Sequence, residues 1–529
     1  MTTFRNEPPA DFSRAANQQR MSDVLDAAHK SAPVKCPLWL EDGWVETSGE
    51  IVSDNPSDKE EVVAIAASAD VSHVDAAIAS ATQAAEAWTS EPVQKRADCL
   101  RRVASYLRDR RFEINACIVL EAGKAWVEAD ADVCEAIDFL EYYALEAERL
   151  AEPQRLMGDI PGEINQLHYE PLGLTAIIAP WNFPLAIATG MTAAALVAGN
   201  CTILKPAEQT PATANYLARA MEHAGFPRGV FTMLHGPGEV VGAALVQAPQ
   251  VRLIAFTGSR EVGLGILRES ANIREGQSGI KRTILELGGK NAMIVDDTAD
   301  LDAAIPDILH SAFGFAGQKC SALSRLIVHQ DVIEPLTKRL VEAADSMIIA
   351  PAEDPSCQIG PVIEQASVKR LDEALQQAER DGAVLHHHEL GELRDRGWYS
   401  PSVIVSQLDA QHRLAQEELF GPFLTLLSAA SFDEALDIAN GTDYALTGGV
   451  HSRTLEHLER AKHEFHVGNL YLNRTITGAI VGRQPFGGFR FSGIGSKAGG
   501  PDYLKQFMVA SSCSENIMRH GFAPLEATG

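Results

Sequence analysis

From Pro171 to Leu204 the chain carries no charged residue. A run of that length is enough to cross a bilayer as one apolar helix. The run is broken near its middle by Pro180-Trp181-Asn182-Phe183-Pro184. An internal proline removes a helix hydrogen bond and clashes with the turn before it. Two short halves remain. Leu174-Thr175-Ala176-Ile177-Ile178 reads as a buried strand, and the Ala- and Gly-rich half after Pro184 reads as a buried helix leading to a strand at Cys201–Leu204. Strand, loop, helix and strand, apolar on every face, belong inside a folded core, and we expect no membrane span.

The alternation continues downstream. Strands are expected at Val230–Leu234 and Leu253–Phe256, with helices at Ala212–Ala224 and Gly238–Gln247. A second unit begins with strands Thr283–Leu285 and Ala292–Val295. A helix over Leu301–Phe313, a Gly-rich loop and a strand at Ser324–Val328 follow, and the pattern runs to about Asn473. Before it, Val71–Leu107 and Phe112–Ala151 show helical spacing, as in Ala136, Ile137, Leu140, Tyr143 and Ala144. The first thirty or so residues are polar and read as an arm or frayed helix. Phe507–Met518 is strand-like, with no evident partner. A chain of 529 residues exceeds one domain. The expected class is α/β, with two doubly wound domains and a ligand site between them, at the carboxyl ends of parallel strands.

A net charge of −26 argues against nucleic acid and against anionic membrane surfaces. None of the eight cysteines forms a C-x-x-C pair, so neither a zinc knuckle nor a disulfide framework is expected. The N-terminus has no apolar run resembling a secretory signal. His386-His387-His388-Glu389 invites a metal reading, but its polar surroundings favour a solvated loop, and no metal is expected.

Several segments carry chemistry. In Phe313-Gly314-Phe315-Ala316-Gly317-Gln318-Lys319-Cys320-Ser321 a helix ends, the backbone turns at glycines, and a thiol follows a lysine. Nearby positive charge or oriented N–H groups would lower the thiol's pKa and make it a nucleophile. In Leu285-Glu286-Leu287-Gly288-Gly289-Lys290 a carboxylate sits at the end of an apolar strand, where burial would raise its pKa toward a base's range. The amide of Asn182 can donate to a developing oxyanion. Lys205 and Glu208 follow a strand and could hold the hydroxyls of a nucleotide ribose. Phe256-Thr257-Gly258-Ser259-Arg260-Glu261-Val262-Gly263 follows another strand and opens a helix whose N-terminus suits a phosphate. Taken singly, each of these reads equally well as a turn, a cap or a buried thiol.

Together and in this order they resemble the aldehyde dehydrogenase superfamily, from about Leu40 to Phe522. F-x-x-x-G-Q-x-C matches at Phe313–Cys320, L-E-L-G-G-K at Leu285–Lys290, and E-L-F-G-P at Glu418–Pro422, beside P-W-N-F-P, K-P-A-E and F-T-G-S. Within the superfamily, Thr477–Gly488 resembles the substrate-anchoring segment of the L-glutamate γ-semialdehyde (Δ1-pyrroline-5-carboxylate) dehydrogenases, and Ser496–Leu504, Ala312–Ser321 and Ala136–Tyr143 continue the resemblance to those enzymes.

The resemblance implies Cys320 as nucleophile, Glu286 as base, and Asn182 with the Cys320 N–H as oxyanion donors. It implies NAD, rather than NADP, held by Pro180, Trp181, Lys205, Glu208, Gly258, Ser259, Gly263, Glu418 and Phe420. Substrate contacts would come from Glu135, Phe183, Lys319, Ser321, Gly478, Ala479 and Phe486. The implied division is an arm (1–30), an NAD-binding domain (31–285) with an oligomerisation hairpin near 151–171, a catalytic domain (286–480), and a C-terminal oligomerisation segment (481–529). A homo-oligomer, a cytoplasmic location and a functional link to proline dehydrogenase are implied too. Three alternatives stay open at this point: a dehydrogenase for another small semialdehyde, a CoA-acylating dehydrogenase in which CoA rather than water takes the acyl group, and a non-catalytic protein on the same fold.

Overall fold

The uncharged stretch folds as strand Thr175–Ile178, helix Ala186–Val197 and strand Thr202–Lys205, nearly all of it buried. The computed structural model describes residues 4–158 and 160–518. Among the described residues no helix is long and apolar enough to cross a membrane.

These two strands lie at the centre of an eight-stranded sheet. Its parallel core runs Arg282–Glu286, Leu253–Thr257, Thr175–Ile178, Thr202–Lys205, Phe231–Met233. Leu38–Leu40 and Gly493–Ile494 add antiparallel strands on opposite sides. The register sets Ile178 against Lys205, Phe256 against Ile178, and Thr257 against Glu286. One carboxyl edge therefore carries Glu286, Lys205 and the loops after Ile178 and Thr257.

A seven-stranded sheet forms the second α/β unit. Its strands Val403–Val405, Phe423–Ala429, Leu323–His329, Asn291–Val295, Thr447–His451 and Asn469–Leu472 are parallel, and Val384–His387 is antiparallel at the edge. Glu286 ends a strand of the first sheet, and Asn291 begins one of the second. The amino edge of the second sheet thus meets the carboxyl edge of the first, and the motifs fall in that seam. The two doubly wound α/β units match the class expected.

Several details differ from expectation. From residue 4 onward the N-terminal segment is docked rather than frayed. Residues 4–12 lie along the helix Trp126–Ala151, with the Asn6 amide and the Glu7 N–H bonded to Asp138, and the Ala10 N–H bonded to Asp130. A helix then spans Ala15–Ser31 and buries Met21 and Leu25. The segment expected as a helix over Gly238–Gln247 opens as a wide π turn at Gly238–Gly242 before becoming α-helical. His386 and His387 lie in an edge strand, not a solvated loop, and His386 is buried. The strand-like tail has a partner: Met508–Asn516 pairs antiparallel with Glu163–Pro171 along nine residues. The end of the resemblance, up to Phe522, and the last part of the segment 481–529 lie outside the described residues.

Candidate active site

The helix Leu301–Phe313 stops at a turn in which Phe315, Ala316 and Gly317 all have positive φ, at 54°, 51° and 67°. Left-handed backbone costs a non-glycine residue about 1–2 kcal/mol. Such strain persists only where the surroundings over-determine it, and it gathers at functional sites. Gly317 is also held by proximity, since a Cβ there would collide with the Gly421 carbonyl. Gln318 locks the turn: its amide donates to Pro361 O at 3.2 Å and accepts from the Ile363 N–H at 2.9 Å. Asn291, at the start of its strand, donates to Cys320 O at 2.7 Å and Ala322 O at 2.9 Å, and accepts from the Thr447 N–H at 3.0 Å. Cys320 is therefore fixed by its backbone on both sides.

Cys320 opens into a cavity whose walls include Glu135, Phe183, Glu286, Ser321, Gly478, Ala479 and Phe486. Seven residues chosen on sequence grounds thus converge around the thiol. Lys319 does not join them. Its ammonium turns away and pairs with Glu128 at 2.7 Å. This corrects the expected activation of the thiol by a lysine neighbour. The Cys320 pKa is pushed up, not down, by burial first and then by the charges of Glu286 and Glu418; the Ser321 N–H opposes the shift. The resting thiol keeps its proton until a base removes it.

Glu286 fits that role. Burial raises its pKa to about 8, against the opposing effects of Lys497 and the Gly488 N–H. Its Oε2 is sealed from solvent and has no hydrogen-bond partner among the described residues. Lys497 in turn donates to Gly468 O at 2.7 Å and to Gly487 O. Glu135 is also raised to about 8, by burial and then by Asp132. Asn182 is 5% exposed and donates to Gln318 O at 3.0 Å. That bond uses one of its two amide N–H groups, so the other is left for a ligand in the seam.

The residues expected to hold a dinucleotide flank the same seam. Lys205 pairs with Glu208 at 2.9 Å, and Glu208 Oε1 accepts the Gly238 N–H at 2.7 Å. Ser259 caps the helix Arg260–Ser270. Gly258 lets the chain pass Phe256, whose Cζ would lie 2.5 Å from a Cβ, and a Cβ at Gly263 would strike Leu287. Across the seam, Glu418 Oε1 accepts the Gly289 N–H at 2.8 Å, and burial raises its pKa to about 7. Phe420, with φ 51°, sets its ring edge-on to Trp181 at 5.6 Å, just after Pro180.

Sequence reasoning missed other walls and supports. Tyr143, Phe139 and Tyr503 line the cavity, and Tyr143 is fully buried between stacked neighbours. The Tyr143 hydroxyl accepts the Gly499 N–H at 2.9 Å. Asn291 lies one residue beyond a motif already singled out, but only the three-dimensional register reveals its three bonds.

Comparison with known proteins bears on the family and the fold. The aldehyde dehydrogenase family model matches residues 44–512. The 1-pyrroline-5-carboxylate dehydrogenase of Bacillus subtilis is 43% identical, over 97% of this chain and 99% of that protein. A crystal structure of 1-pyrroline-5-carboxylate dehydrogenase from Thermus with bound NAD superposes with a TM-score of 0.94 at 42% identity, covering 98% of this chain and 99% of that one. Proline utilization A from Bdellovibrio bacteriovorus superposes at 0.97 with 44% identity, covering 99% of this chain but 54% of its own. This chain thus spans about half of that longer protein. With the fold, the seam and the sequence in agreement, the chain belongs to the aldehyde dehydrogenase family.

Proposed function

We propose that this protein oxidises L-glutamate γ-semialdehyde, the open form of Δ1-pyrroline-5-carboxylate, to L-glutamate with reduction of NAD, the second step of proline degradation. The observation that carries the reading is the convergence of Cys320, Glu286, Ser321, Gly478 and Glu135 on one cavity. An amino-acid aldehyde bears a carboxylate and an ammonium. Ser321 and the backbone at Gly478 and Ala479 offer donors to the carboxylate, and Glu135 offers an acceptor to the ammonium. Phe183 and Phe486 flank the aliphatic chain between them.

NAD fits the seam. Glu208 leaves Oε2 for ribose hydroxyls beside Lys205, Ser259 opens a helix N-terminus suited to a pyrophosphate, and Glu418 and Phe420 face the nicotinamide end. A carboxylate at Glu208 disfavours a 2′-phosphate and hence NADP. Bound NAD supplies the hydride acceptor.

The chain's own groups do the rest. Glu286 or a water beside it takes the Cys320 proton. The sulfur bonds to the aldehyde carbon, and the carbonyl electron pair moves to oxygen, where the free N–H of Asn182 and the Cys320 N–H receive it. Loss of hydride restores the C=O bond and leaves a thioester on Cys320. Glu286 then removes a proton from water, the hydroxide adds to the acyl carbon, and the thiolate leaves, releasing glutamate.

The edge strand Met508–Asn516, largely exposed, supports a homo-oligomer built through it. Eight unpaired cysteines and use of NAD support a cytoplasmic setting. A functional link to a proline-oxidising enzyme follows from the substrate. Steady-state kinetics on Δ1-pyrroline-5-carboxylate, succinate semialdehyde and betaine aldehyde, each with NAD and NADP, tests the reading. A higher kcat/KM for either rival aldehyde would overturn it.

A further inference from the structure

Behind the Phe183 wall lies a buried ion pair to which no role has been given so far. Lys124 and Asp132 are both fully buried, with Nζ 2.8 Å from Oδ2. Lys124 precedes the helix Trp126–Ala151 and Asp132 lies within it. The other carboxylate oxygen, Oδ1, accepts the Ala186 N–H at 2.7 Å, at the first residue of the helix that follows Pro184. Among the described residues Nζ has no second oxygen acceptor. Two aromatic rings stand there instead: Phe183, with its centroid 3.7 Å from Nζ, and Phe315, at 5.0 Å.

The two rings come from different loops. Phe183 directly follows Asn182 and lines the cavity. Phe315 sits in the left-handed turn that delivers Cys320. A desolvated ammonium over an aromatic face is among the stronger aromatic contacts available to a protein. A buried ion pair, by contrast, adds little stability over well-packed apolar residues of the same volume. Retention of a charge here is therefore poorly explained by stability alone.

We propose that Lys124, anchored by Asp132, is a positioning residue for substrate selection: its ammonium holds the Phe183 ring flat against the cavity and so sets the width of the slot between Phe183 and Phe486. The helix that carries Asp132 also carries Glu135, three residues on. One helix therefore presents the acceptor for the substrate's ammonium and anchors the wall that grips its chain. A short aldehyde touches less of the ring than the semialdehyde does, and so senses its position less. This inference rests on the reading of that cavity as the semialdehyde site.

The test leaves the ion pair intact. Genetically encoded mono-, di- and trifluorophenylalanine at position 183 drain the ring's negative face while keeping its shape. KM for the semialdehyde rises stepwise, reaching about tenfold with the trifluoro ring, while KM for propanal rises less and the affinity for NAD stays constant. The same series at Phe486, a wall of the same slot with no ammonium over its ring among the described residues, measures the direct effect of fluorine on the substrate contact, and its slope is smaller than the slope at 183. A second variant, Lys124→Met with Asp132→Asn, removes both charges and keeps an acceptor for the Ala186 N–H. It raises KM for the semialdehyde at least as much as the trifluoro ring does. A KM flat across the Phe183 series, or equal slopes at 183 and 486, overturns the proposal. A parent enzyme inactive on the semialdehyde instead sinks the substrate reading, so the two failures are separable.

Discussion

Replacing Glu286 with glutamine separates two consequences of one buried carboxyl. Burial raises it from 4.5 to about 8 in the folded chain. Below pH 4.5 the group is protonated whether the chain is folded or unfolded, and it favours neither. Between 4.5 and about 8 the unfolded chain gives up a proton that the folded chain retains, so stability falls as pH rises. Above about 8 the loss is complete. Each factor of ten in the acid constant is worth about 1.4 kcal/mol. The full loss is therefore at most about 5 kcal/mol, less whatever water entering the cleft recovers. Glutamine cannot ionise, and its oxygen still accepts the Gly488 N–H. Glu286→Gln therefore melts close to the parent at pH 5 and higher than the parent at pH 9, with the gap widening between. Calorimetry on both proteins at pH 5, 7 and 9 measures it. The same variant gives a slower burst of NADH, because the Cys320 proton leaves more slowly, and then stalls as the thioester. A melting gap that does not change with pH refutes the proton-holding carboxyl. Turnover equal to the parent's refutes the base.

Other expectations follow from the same geometry. Asn291→Leu strands the Cys320 and Ala322 carbonyls and the Thr447 N–H, each worth about 1–3 kcal/mol when buried unpaired. Urea denaturation should show a loss of at least about 3 kcal/mol, and altered alkylation kinetics of Cys320 should accompany it. Lys497→Met removes the cation that holds the Glu286 pKa down, so the rising limb of the pH–kcat profile moves to higher pH. A profile that moves the other way contradicts that assignment. Cys320→Ala keeps the melting temperature within a degree or two of the parent, and loses both the NADH burst and the acyl adduct visible by mass spectrometry. Gly263→Ala drives a methyl into Leu287 beneath the Ser259 helix, and titration calorimetry should find weaker NAD binding with Cys320 alkylation unchanged.

The seam was readable where the chemistry is local in sequence. Thr175–Ile178 and Leu301–Phe313 fall on the residues that periodicity chose, because each buries a face that the pattern records. Cys320, Glu286 and Asn182 were legible only as an ordered set. Each alone reads as a buried thiol, a cap or a turn. What stayed hidden depends on direction and distance. Lys319 adjoins Cys320 in sequence, yet its side chain runs to Glu128, a residue 191 positions away. Phe315 and Ala316 adopt left-handed backbone that their types disfavour, so no propensity could flag the turn. Lys124 carries no motif; its neighbours come from a helix and two loops that meet only on folding. The docking of residues 4–12 depends on Asp130 and Asp138, which in sequence are two acids on one helix among many.

The pairing of Met508–Asn516 with Glu163–Pro171, and of Gly493–Ile494 with Arg282–Glu286, has a consequence for biosynthesis. During translation the strand ending in Glu286 exists long before its outer neighbour. Until residues 493–516 leave the ribosome, the first sheet presents a bare edge, and the 163–171 strand another. Unpaired edges are templates for wrong partners, and contacts between distant segments form slowly. Premature termination or C-terminal trimming before Gly493 would therefore leave a nascent product that contains Cys320 and Glu286 but remains prone to aggregation. Synthesis of residues 493–516, more than the assembly of Cys320 and Glu286, sets when the newborn sheets become safe in a crowded cell.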